Sequence, residues 1–139
     1  METWKFFDFL DGRGVNLIRQ WLDGSDVPEK ASAKIDARIL YMQTVRLWPE
    51  QYVSSLDGWP DLVELRVVSA GSQYRPIGFY GPGRREFTLV LGAIEKGKLP
   101  RRVLQAADDN RKIALSDRRR IREHEFAKGP VSPESENQR

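Results

Sequence analysis

Three strand-length runs lie between Leu62 and Ile94, separated only by turn signals, and this stretch most constrains the fold. Leu62 to Ser69 alternates: Val63, Leu65 and Val67 point one way, and Glu64 and Arg66 the other. Ala70-Gly71-Ser72 is a turn. Gln73 to Tyr80 is a second strand that contains Pro76, a residue without a ladder donor, which predicts an unpaired side or a bulge there. After Gly81-Pro82-Gly83, the run Glu86 to Ile94 is almost continuously apolar, the pattern of a buried central strand. Connections this short join neighbouring antiparallel strands, so the middle of the chain is a three-stranded meander.

The flanks supply the other layers. Thr3 to Leu10, rich in Phe and Trp, reads as a first strand ended by Asp11-Gly12. Val15, Ile18 and Leu22, with Leu17 and Trp21 beside them, form a short amphipathic helix stopped near Gly24. Ser25 or Asp26 is a candidate cap for a second helix, with Pro28 in its first turn. Its stripe is Ala31, Ile35, Ile39 and Met42, widened by Leu40 and Leu47, and it is expected to run to Trp48, before Pro49. Residues 49–61 read as a loop. Pro100 starts a last helix with Val103, Ala107, Ala114 and Ile121 on one side. The expected fold class is α+β: a small mixed or antiparallel sheet, an N-terminal helical hairpin on one face, a C-terminal helix, and the other face partly open, carrying Glu64 and Arg66.

The length suits one domain. No cysteine is present, which excludes disulfides and thiolate metal sites. Residues 1–10 show no secretory pattern and no apolar run approaches bilayer length, so the expected compartment is the cytoplasm, with no membrane partner. Charge is unevenly spread. Residues 1–61 hold seven basic against ten acidic side chains, residues 62–102 eight against three, and the remainder eight against seven. A cationic excess concentrated in the strand region suggests a polyanion such as nucleic acid; solvated edge-strand charge that blocks aggregation is the alternative.

The series Leu62-Val63-Glu64-Leu65-Arg66, Tyr74-Arg75, Phe87 to Gly92, then Lys96, Lys98 and Pro100 resembles the HigB-like, phage-derived branch of the RelE/ParE toxin superfamily. The similarity covers roughly residues 3 to 113. It implies a RelE-like toxin domain over 1–113; beyond it, charge density reads as a charged helical extension at 114–128, and the Pro, Ser, Glu and Asn of 129–139, without apolar periodicity, read as a disordered tail. The resemblance further implies a type II toxin–antitoxin pair, most members of which cleave mRNA in the ribosomal A site, while a minority poison DNA gyrase. The implied partners are a cognate antitoxin, expected to be of helix-turn-helix type, the ribosome and mRNA, with a higher-order toxin–antitoxin complex on operator DNA; no cofactor or metal is implied. The chain departs from the branch in having Glu95-Lys96 for paired lysines, Leu91 where a histidine often precedes the glycine, and no tyrosine after Tyr80.

RNA is cut without a metal when the ribose 2′-oxygen attacks the adjacent phosphate and the 5′-oxygen leaves. Fixed cations aimed at the developing charge stabilise that step, and arginine's planar fork suits phosphate. The expected catalytic set is Arg66, Arg75, Lys96, Lys98 and Glu64. Arg66 and Arg75 clamp the scissile phosphate, Lys96 stabilises charge or protonates the leaving oxygen, and Lys98 holds a flanking phosphate. Glu64, or Glu50, is the available carboxylate base. Tyr74 and Tyr80 are expected to stack on bases, with Arg101 and Arg102 as further RNA contacts. Each has a plainer reading: Arg66 with Glu64 as a surface ion pair, the tyrosines as sheet packing, the lysines as loop charge. Arg75 has the parity of Ile77 and Phe79, so it reaches an open face only if Pro76 shifts the register. His124 and Arg118 to Arg122 read as solvated helix charge.

Overall fold

The computed structural model describes residues 3–127. Strand β1 (Lys5–Phe9) is followed by helices α1 (Leu17–Asp23) and α2 (Glu29–Met42). Then come strands β2 (Val53–Leu56), β3 (Trp59–Leu65), β4 (Val67–Ser69), β5 (Ser72–Tyr80) and β6 (Glu86–Ile94), helix α3 (Arg101–Ser116) and strand β7 (Ile121–Glu123). The strands make one seven-stranded sheet in the order β2-β3-β5-β6-β1-β7, with β4 also paired to β5. Only β1 and β6 run parallel; every other pairing is antiparallel.

Local chemistry explains the first turns. Asp11 Oδ1 accepts from the backbone N–H groups of Arg13 and Val15 and closes the turn after β1. Asn16 caps α1, its Oδ1 accepting from Ile18 and Arg19 N–H. Neither Ser25 nor Asp26 caps α2; Pro28 stands at that position and makes no side-chain cap bond. The α2 stripe of Ala31, Ile35, Ile39 and Met42 is buried as expected. The helix nevertheless ends at Met42 rather than Trp48. Thr44 Oγ1 and Trp48 Nε1 donate to the carbonyls of Tyr41 and Met42, and the chain turns so that Trp48 packs on Phe6 and Phe87. Leu47, which continuing the helix would have added to the stripe, is 83% exposed.

Residues 49–61, expected as a loop, contain a 3-10 turn (Glu50–Tyr52), β2 and the start of β3. Asp57-Gly58 is the hairpin turn between those strands. The turn from β4 to β5 uses Ala70 and Gly71, both at positive φ (50° and 81°), the conformation whose twist matches the flanking strands.

Both faces of the sheet are covered. On one, α1 and α2 pack over Phe6, Val63, Leu65, Val67, Tyr74, Phe87 and Leu89. On the other, Leu104, Ala107 and Ala114 of α3 pack over Leu62, Ile77, Phe79, Val90 and Ala93. The expected open face is therefore the α3 face. The apolar run of β6 needs this second layer, because residues of both parities must leave water.

The register shift lies in β6 rather than at Pro76. Ile77 pairs with Leu91 and Gly78 with Leu89, leaving Val90 as the extra residue of a bulge, while Pro76 sits in register opposite Gly92. Arg75 therefore keeps the face of Ile77 and Phe79. The expected helical extension at 114–128 is corrected as well: α3 stops at Ser116, Asp117 caps a 3-10 turn, and β7 pairs with β1. Pairing covers an otherwise open edge of β1 and buries Ile121 beside Phe9. The tail expected at 129–139 lies outside the described residues.

Candidate functional site

One polar cleft of about 470 Å³ opens on the α3 face, where the sheet extends past the start of that helix. Its walls come from the β2–β3 hairpin (Ser54, Ser55, Asp57), from Glu64, Arg66 and Arg75, and from Lys98, Leu99 and Leu104 at the entry to α3. Four of the five residues expected to carry catalysis thus meet, drawn from three segments: the end of β3, β5 and the loop into α3.

Glu64 is the centre of the cluster. It is 2% exposed, and its two carboxylate oxygens accept from different arginines: Oε1 from Arg75 Nε at 2.6 Å, Oε2 from Arg66 Nε at 3.2 Å. A carboxylate this enclosed stays compatible with folding because both oxygens are engaged by cations. Paired on both sides, it is a poor candidate for the free base expected of it. Glu50, the alternative base, stands exposed in the 3-10 turn and does not line the cleft.

The two arginines differ in what they can offer. Arg75 is 8% exposed, and its Nη1 also donates to the carbonyls of Glu95 and Gly97, so it ties β3 to the loop after β6. Arg66 has its backbone held from two sides: its N–H donates to Tyr52 O at 2.9 Å, and its carbonyl accepts from Arg38 Nη1 at 2.8 Å. Arg38 is itself fixed, its guanidinium lying 3.8 Å from the centre of the Tyr52 ring. The Arg66 side chain is half-exposed, and among the described residues its Nη1 and Nη2 have no protein partner. Arg66 therefore presents an anchored, open guanidinium edge to the cleft.

Lys98 lines the cleft, whereas Lys96, two residues earlier in the same exposed loop, does not. Arg101 and Arg102 are exposed on the first turn of α3, and the Arg101 guanidinium lies 5.6 Å from the Trp59 ring. The tyrosines are elsewhere. Tyr74 is buried in the core beneath α1 and α2, and Tyr80 lies on that same side, in contact with Trp48 and Phe87. Neither reaches the cleft, because even-numbered residues of β5 face away from it. The serines and Asp57 of the hairpin went unforeseen; no local pattern in 49–61 marks them as lining a site.

A second polar cluster was also unforeseen. His124, expected as solvated helix charge, follows β7 and is wholly enclosed. Its Nδ1 lies 2.7 Å from Asp8 and its Nε2 2.9 Å from Asp36. Asn16 Nδ2 and Glu125 N–H donate to Asp8, and Arg19 Nη1 and Ala127 N–H donate to Asp36. Burial alone lowers the pKa of His124, but the hydrogen bonds to Asp36 and Asp8 prevail and push it up to about 9. Asp36 is correspondingly held below its usual range: burial opposes this, and the bonds from His124 and Ala127 outweigh it. With its carboxylates and imidazole all paired, this cluster locks the C-terminal strand to the first strand and the first two helices.

Among the described residues, no group of His, Cys, Asp or Glu has the arrangement of a metal site, and no helix is long and apolar enough to cross a membrane. No protein-family model, curated protein or solved structure matches the chain.

Proposed function

We propose that the protein is an endoribonuclease toxin of a type II toxin–antitoxin pair that cuts mRNA on the ribosome through 2′-oxygen attack. The observation that supports this most is the meeting of Arg66, Arg75 and Lys98 in one cleft, from three segments of the chain. In this reading Arg66 Nη1 and Nη2 grip the non-bridging oxygens of the scissile phosphate, as its fork allows. Lys98 adds a mobile cation for charge developing on the leaving oxygen. Arg75 and Glu64 are positioning residues: Glu64 orients Arg66, and Arg75 anchors Glu64. Arg101 and Arg102 extend the cationic rim toward flanking phosphates. Lys96 and Tyr74 are given no catalytic role. With Glu64 committed to two arginines, Asp57 of the β2–β3 hairpin is the carboxylate of the cleft wall that has no protein partner among the described residues, and in this reading it takes the proton of the attacking 2′-hydroxyl. The expected partners are an antitoxin, of helix-turn-helix type, and the ribosome, in the cytoplasm, with operator DNA bound through the antitoxin.

A second reading is a binding module of the same architecture, a gyrase inhibitor or a degenerate phage protein. The commitment of Arg75 to Glu64 and two carbonyls favours it, since a cation so occupied serves the fold. Induction in cells, with transcripts followed by primer extension, separates the two. The expected result is new 5′ ends inside translated frames, reduced on the order of 100-fold by Arg66→Ala or Lys98→Ala and retained by Lys96→Ala. Growth arrest without cuts would move the target to gyrase or another protein. Neither arrest nor cuts would leave the binding module.

A further inference from the structure

The other side of the sheet carries a separate feature: an aromatic surface flanked by uncommitted arginines. Trp4, Trp48 and Tyr80 form a contiguous cluster, with ring centres 4.5 Å (Trp4–Trp48), 5.8 Å (Trp48–Tyr80) and 5.7 Å (Trp4–Tyr80) apart. The Trp48 and Tyr80 planes are inclined by only 27°. Tyr80 is 53% exposed, and both tryptophans are half-buried. Both indole N–H groups are spent internally, Trp4 on Arg46 O and Trp48 on Met42 O. The cluster therefore offers ring surface rather than hydrogen-bond donors.

Beside it lies a hollow of about 260 Å³ lined by Thr3, Trp4, Lys5, Arg84, Arg85 and Glu86. Its position follows from the sheet: Lys5 pairs with Glu86 in register, and Lys5 N–H donates to Arg85 O, which sets Trp4 next to the Arg84-Arg85 turn. Glu86 is neutralised by a two-pronged bond from Arg118, and Lys5 makes only a 3.7 Å pair with Glu123. Among the described residues, the guanidinium groups of Arg84 and Arg85 have neither an ion pair nor a hydrogen bond. Arg85 also holds a positive φ of 61°, a conformation uncommon outside glycine.

Ring faces for bases and free guanidinium groups for phosphates are the two components that hold single strands without reading sequence. A duplex hides its base faces, and the Asp and Glu side chains of an acidic peptide have no extended flat face to lay on Tyr80. The geometry points to this Trp4–Trp48–Tyr80 surface with Arg84 and Arg85 as a binding site for single-stranded nucleic acid, distinct from the cleft. The aromatic rings lie on the face of the sheet opposite the cleft, and Tyr80 is roughly 16 Å along β5 from Arg75, at about 3.3 Å per residue. The site stands whether or not the cleft cuts RNA.

Fluorescence anisotropy of a labelled 12-nucleotide RNA tests it, with the DNA strand of the same sequence and the matching RNA duplex alongside. The wild type is expected to bind both single strands more tightly than the duplex, with quenching of tryptophan emission. Tyr80→Ala weakens binding by at least about five-fold. Arg84→Ala with Arg85→Ala lowers the salt slope by about 1.4, two contacts at roughly 0.7 each. This pair is on the surface, so it remains informative even if Tyr80→Ala unfolds the protein. The Arg66→Ala, Lys98→Ala double variant keeps most of the affinity. Equal binding of the duplex, wild-type affinity in the Arg84/Arg85 pair, or no binding at all would overturn the site. Loss confined to the cleft variant would overturn it while leaving the proposed cleft function standing.

Discussion

His124 Nδ1 lies 2.7 Å from Asp8 Oδ1, although 116 residues separate them, and neither side chain reaches solvent. With Asp36 on the other ring nitrogen, the imidazole is a cation between two carboxylates. It pins β7 against β1 and the chain after β7 against α2.

The titration of this cluster has a defined sign. The folded pKa of His124, about 9, lies above the ordinary value of 6.5, so its stabilisation is full below about pH 6.5 and is lost as pH rises toward and through 9. Asp36 acts oppositely: its pKa is lowered on folding, so its contribution holds above its ordinary value of 3.8 and fades as pH falls below that. Urea unfolding across pH is expected to show a plateau between these limits and a decline on the order of 3 kcal/mol on the alkaline side. His124→Ala should lower stability by about 3 kcal/mol or more near neutral pH, because two carboxylates then face each other buried, and should abolish the alkaline decline. An unchanged alkaline limb in that variant would refute the assignment.

Glu64→Gln separates positioning from base catalysis. Loss of the carboxylate releases Arg66 Nε and leaves Arg75 buried without its counter-ion, at a cost of about 3 kcal/mol in stability. If Glu64 positions the guanidinium groups, the variant binds phosphate or short RNA more tightly and cuts less. If it is the base, cutting falls while affinity stays unchanged. Titration of the purified variant with a short RNA, beside primer extension, distinguishes these.

Gly92 is where Trp21 of α1 meets the sheet. A Cβ there would stand 2.1 Å from Trp21 Cδ2, so Gly92→Ala forces the helix to move. The expected cost is about 1–3 kcal/mol. Combined with Trp21→Ala the two effects should be strongly less than additive, since the second change removes the clash. Chemical denaturation of the four proteins gives the coupling, and simple additivity would show that Trp21 is not the obstacle.

Much of the architecture follows from local pattern. The Phe- and Trp-rich first run, the two helical stripes, the turns at Ala70-Gly71 and Gly81-Pro82-Gly83, and the helix after Pro100 each carry their own periodicity or breaker, and each yields its element. The almost continuously apolar run of β6 even contained the need for a layer on both faces, which the expectation of an open face overlooked. The end of α2 was not legible, because Trp48 leaves the helix for a contact with Phe6 and Phe87 that exists only once β1 and β6 are paired.

For the site, residue types were legible and placement was not. Arg66, Glu64 and Lys98 are drawn together by the β3–β5 pairing and the loop into α3, while Tyr74 and Tyr80 are sent to the opposite face by the alternation of β5. The sequence by itself determined a meander rich in arginine and a mixed α+β class. Tertiary structure alone decided that Val90 rather than Pro76 carries the bulge, that Glu64 is spent on two arginines, and that His124 is a buried cation. Each depends on which distant segment lies alongside: burial removes water as a partner, and the remaining partner is then whatever the fold has brought within hydrogen-bond reach.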